Sequence, residues 1–70
     1  MTLKDLAPQL DPTKLIRVEV EDPELPYQLI YVNIEFALRE IPEVEVRDFE
    51  TMPWTHVVYV YPFEKREKTI

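Results

Sequence analysis

Seventy residues without a single cysteine, glycine or serine, carrying a formal charge of −6, exclude a good deal at the outset. There is room for one small domain, which must rest on packing, or partly on a partner, without disulfide or thiolate–zinc staples. Neither a glycine-rich phosphate loop nor a serine or cysteine nucleophile is available, and a negative chain suits phosphate backbones poorly.

In chain order, Thr2 followed three residues later by Asp5 has the form of a capping box, and Leu3, Leu6 and Ala7 share one side. A short N-terminal helix is expected, stopped or kinked by Pro8. Residues 9–13, with Asp11-Pro12, read as a connector. Over residues 14–21 the pattern alternates, with Ile16, Val18 and Val20 on one face and Arg17, Glu19 and Glu21 on the other. That is a half-buried strand.

Residues 22–42 are the longest apolar stretch and the hardest to assign. At helical period they carry two apolar stripes, one of Leu25, Leu29, Val32 and Phe36, the other of Ile30, Ile34, Ala37 and Ile41. Asp22 as N-cap, Pro23 in the first turn and Pro42 as a stop complete the signature of one central helix, with Glu24, Gln28, Glu35 and Arg39 toward water. The competing reading is a strand over residues 27–33 and then a short helix to Glu40, since Tyr27, Ile30, Tyr31 and Val32 favour strands and Pro26 removes an early helical N–H.

Residues 43–50 alternate again, with Val44 and Val46 inward, Glu43, Glu45 and Arg47 outward, and Phe49 out of phase. Thr51, Met52, Pro53 and Trp54 form a turn. Residues 56–63 are the most apolar strand, with Val58 and Val60 on one face and Val57, Tyr59, Tyr61 and Phe63 on the other. The expected fold is α+β: a short helix, then strand–helix–strand–strand. Its three-stranded mixed sheet, packed on the one central helix, resembles half of a ferredoxin-like split βαβ unit. Setting the tyrosine-rich strand between the two glutamate-lined ones keeps like charges apart, which gives the order 1-3-2. The domain should span residues 1–64, with a charged tail over 65–70.

Chemistry is sparse. His56 is a lone histidine without a partner at a recognisable spacing, and carboxylates alternating along a strand point to solvent rather than into a pocket. No enzyme, cofactor or metal site is expected. No apolar run nears the ~20 residues of a membrane span, and no basic-then-apolar leader opens the chain, so a soluble protein without targeting signals is expected.

The absence of Gly, Ser and Cys, the glutamate-filled RVEVE and EVEVR strands, and the DPEL and LREIP ends of the middle segment together resemble computationally designed α/β mini-proteins. That resemblance covers the whole chain and rests on style. It implies a binder or inhibitor of a chosen protein target. A second resemblance, in TLKDL, IRVEVE and VVYVY, is to small proteins of phages and conjugative elements, some of which inhibit nucleic-acid enzymes by imitating DNA. A designed fold with no partner is a third possibility.

Protein binding is the class best supported by the residues themselves. One helix covers one side of a sheet, which leaves Val57, Tyr59, Tyr61 and Phe63 facing outward with Trp54 at one end. Glu19, Glu21, Glu43 and Glu45 would form an acidic rim. An aromatic centre with a charged rim is the anatomy of a protein-binding patch, here for a partner with a basic surface. Direct contact with nucleic acid or membrane is not expected, and the unbound chain should be a monomer.

Overall fold

The computed structural model describes residues 1–63, so the charged tail expected over 65–70 lies outside the described residues. Helix α1 (Leu3–Leu6) opens on the capping box, Thr2 Oγ1 accepting from the Asp5 N–H while the Asp5 carboxylate accepts from the Thr2 N–H. A 3-10 turn over Ala7–Gln9 follows, with Pro8 in it.

Four strands come next: β1 (Leu15–Val20), β2 (Tyr27–Tyr31), β3 (Val46–Thr51) and β4 (Thr55–Val60), with helix α2 (Ile34–Glu40) between β2 and β3. They make one sheet in the order β2-β1-β4-β3. β1 pairs antiparallel with β2 and parallel with β4, and β3 pairs antiparallel with β4. The chain is thus two hairpins joined by a helix, their first and last strands side by side at the centre of the sheet.

This corrects the three-stranded expectation. The sheet has four strands, the parallel pair is β1 with β4, and residues 22–42 do not form one helix. The physical reason lies at Pro26. Asp22 does cap a turn, its Oδ1 accepting from the N–H groups of Glu24 at 2.8 Å and Leu25 at 3.4 Å. The turn cannot propagate, because the residue before a proline is pushed out of helical conformation. Released from helix, residues 27–31 follow their β-branched and aromatic preference and alternate half-buried and exposed. The helix starts at Asn33 instead, whose Oδ1 accepts from the Phe36 N–H at 3.3 Å.

Both helices lie on one face of the sheet. Leu3, Leu6 and Leu10 from the N-terminal segment and Ile34, Ala37 and Ile41 from α2 form one buried cluster with Ile16, Val18, Val20, Val46, Val58 and Val60. Within β3 the pairing register shifts between Val46 and Asp48, the mark of a β-bulge at Arg47. The bulge places Val46 and Phe49 both toward the helices, which is why Phe49 breaks the simple alternation.

Candidate functional site

The helix-free face is built from the other set of alternating residues. Cross-strand neighbours Ile30, Arg17, Val57 and Glu50 form one row, and Gln28, Glu19, Tyr59 and Asp48 the next. Arg47, displaced by the bulge, turns onto the same face, its guanidinium carbon 5.7 Å from the centre of the Tyr59 ring.

Val57 sits at the centre of this face and is fully buried although no helix covers it. Its neighbours on this face are Arg17 and Glu50 across the strands and Tyr59 two residues on, long side chains of the kind whose stems shield a sheet while their heads stay in water. Tyr59 is held in this lattice at both ends. Its hydroxyl donates to Glu50 at 2.9 Å, and that bond, with the carboxylate charge, pushes the phenol above its ordinary titration range.

The four glutamates expected as an acidic rim are each drawn into an ion pair. Glu19 lies 2.9 Å from Arg17 Nε, a charge contact in which the N–H is not aimed at the carboxylate. Glu21 accepts from Arg47 at 2.7 Å, Glu43 from Lys4 at 3.0 Å, and Glu45 from the Met1 amino group at 2.9 Å. Nearly all of these groups are well exposed, so each pair contributes little to stability. Their effect is to flatten the field along the rim.

The most exposed aromatic groups stand at the two ends of β4. Trp54, in the β3–β4 turn, is 82% exposed, and Tyr61, just past Val60, is 49% exposed. Six strand residues separate them, about 20 Å at the ordinary rise. Phe63 does not share the face: Pro62 interrupts the alternation, and Phe63 is half-buried against the helix-side core. The first of the two apolar stripes expected at helical period is likewise dispersed, with Leu25 in a loop, Leu29 in β2, Val32 between elements and Phe36 alone on α2. Arg17, Arg47 and Glu50 are the residues that sequence reasoning missed. The out-of-phase Phe49 was the signal that could have found Arg47.

His56 belongs to the other face. It is 2% exposed, its Nε2 accepts the Asp11 N–H at 2.8 Å, and its Nδ1 lies 3.2 Å from Thr51 Oγ1. An acceptor Nε2 leaves the proton on Nδ1, so the ring is neutral and donates to Thr51. Burial holds its pKa below the usual histidine value, with Lys14 acting in the same direction and Asp11 opposing it. This is a structural tether for the loop before β1.

Among the described residues no group of three histidine or acidic side chains is placed to hold a metal ion, and no helix is long and apolar enough to cross a membrane. In comparisons with known proteins the chain matches no family model, no curated protein and no solved structure.

Proposed function

We propose that this chain is a non-catalytic protein-binding module whose contact surface is the helix-free face of the sheet, anchored by Trp54 and Tyr61. The observation that carries the reading is the exposure of Trp54. A tryptophan in water at a hairpin tip adds nothing to the core, and Trp and Tyr are the side chains that supply most interface energy. Between the two anchors the face offers a fixed lattice of both charge signs, Arg17, Arg47, Glu19, Glu21 and Glu50, over an apolar floor at Val57. The matching partner surface carries both signs as well, with an apolar cleft for the indole. Internal pairing of Glu19, Glu21, Glu43 and Glu45 weakens the case for a continuous phosphate-like row, so imitation of nucleic acid has less support.

The test is crosslinking capture with the wild-type chain beside a Trp54→Ala/Tyr61→Ala double variant and a Leu25→Ala/Phe36→Ala double variant. A partner held through the sheet face loses affinity about 30-fold or more in the first variant, the loss expected for one anchor worth about 2 kcal/mol, and binds the second normally. Equal capture by the wild type and the Trp54/Tyr61 variant would sink the assignment.

A further inference from the structure

The two outer strands of the sheet are finished differently. At the β3 edge, the Leu3 N–H donates to the Val44 carbonyl and the Val46 N–H to the Met1 carbonyl, so residues 1–3 cover the start of the strand. A bulge then interrupts the edge at Arg47, and Asp48 and Glu50 follow. A covered start, a bulge and charges are the devices by which sheets prevent pairing with another chain. β2 has none of them. Among the described residues no backbone hydrogen bond reaches its outer side, and residues 26–33, Pro-Tyr-Gln-Leu-Ile-Tyr-Val-Asn, carry no charge in a chain of −6. Ile30 is 66% exposed there, and Leu25 and Val32 beside it are exposed as well.

The strand is also matched to itself. Antiparallel pairing about Leu29 sets Leu29 against Leu29 of a second copy, Tyr27 against Tyr31 on the helix side, and Gln28 against Ile30 on the open side. Each is a favourable or neutral cross-strand pair, and no like charges meet. We propose that two copies of this chain associate through β2, antiparallel about Leu29, into one continuous eight-stranded sheet. A second copy fits better than a charged peptide because the edge is uncharged and, turned about Leu29, meets its own strand without an unfavourable pair. The contact is isologous, so it uses up the open edge of each copy and leaves only the two protected β3 edges outside. Assembly stops at two. This departs from the monomer expected of the sequence, and it doubles the proposed binding face.

Sedimentation equilibrium of the full chain tests the proposal, supported by three variants at positions 28 and 30, which face away from the core. Wild type should show twice the chain mass. Gln28→Glu/Ile30→Glu and Gln28→Lys/Ile30→Lys should each fall to single-chain mass, since each sets like charges against each other across the twofold. Mixed together, these two should restore a one-to-one pair. Each of these two like-charged variants places one charge beside an opposite and one beside a like charge on β1, through Arg17 and Glu19, so neither is singled out for misfolding, and circular dichroism confirms the fold. Gln28→Lys/Ile30→Glu should remain dimeric, because the register sets position 28 against position 30. Single-chain mass for wild type at hundreds of micromolar would overturn the proposal, as would a dimer that survives in both like-charged variants. A dimer lost in Gln28→Lys/Ile30→Glu would overturn the register about Leu29.

Discussion

Val57 and Val58 are consecutive, both fully buried, and buried by opposite means. Val58 lies beneath the helices in a dry apolar cluster with Leu3, Leu6, Ile34 and Ala37. Val57 lies on the helix-free face, between Arg17 and Glu50 on the neighbouring strands and next but one to Tyr59, side chains with polar ends that suit water. A sheet with too few helices can therefore finish its second face with long amphipathic side chains. Such a face is covered yet still presents hydrogen-bonding groups, whereas the helix side presents only what the helices turn outward.

The contrast can be broken most sharply by Val58→Asp. A carboxylate there has no partner and no water, which costs several kcal/mol, on the scale of the whole stability of a small domain. Loss of the cooperative thermal transition is expected; a retained melt would remove Val58 from the core. Alanine in turn at each position sharpens the comparison. Val58→Ala should cost about 2 kcal/mol in denaturant unfolding and Val57→Ala about half of that, since flexible side chains collapse onto a gap more readily than two helices do.

A third test titrates the helix side. His56 has a folded pKa depressed from the ordinary 6.5, so the unfolded chain binds its proton first as pH falls. Its contribution is fully present above about pH 6.5 and is lost progressively below that, as pH descends toward the folded value. Thermal melts between pH 8 and 5 should show this decline, and His56→Gln should flatten it. The smallest effect belongs to the open face. Glu50→Gln should return the Tyr59 phenol toward its ordinary range in a spectrophotometric titration, because the ionised hydrogen-bond partner is gone, while the melt hardly moves.

The parts of the fold legible from the residues are those governed by neighbours. The Thr2–Asp5 capping box, the alternation of Ile16, Val18 and Val20, and the stop at Pro42 are local signals, and each has its physical counterpart in the structure. Residues 22–33 misled because Asp22 and Pro23 do start a turn, and only Pro26 prevents its continuation. The apolar stripes fitted both periods there, and Asn33 was the cap that would have divided the segment. The ion-paired rim could not be foreseen. Lys4 meets Glu43 and Arg47 meets Glu21 only after the whole sheet has assembled, and no spacing along the chain announces such pairs.

The parallel pairing of β1 with β4 also bears on the order in which the molecule comes together. The two central strands are drawn from opposite ends of the described chain, Val18 aligned with Val58, so the middle of the sheet closes only when nearly everything else is in place. Each hairpin can zip locally within microseconds, but joining them requires the large loop that contains β2, α2 and β3 to shut. Refolding should therefore be limited by the docking of two preformed halves and run slower than in helical chains of this length. During synthesis, β1 and β2 emerge early with the inner edge of β1 bare, and it stays bare until the last strand arrives.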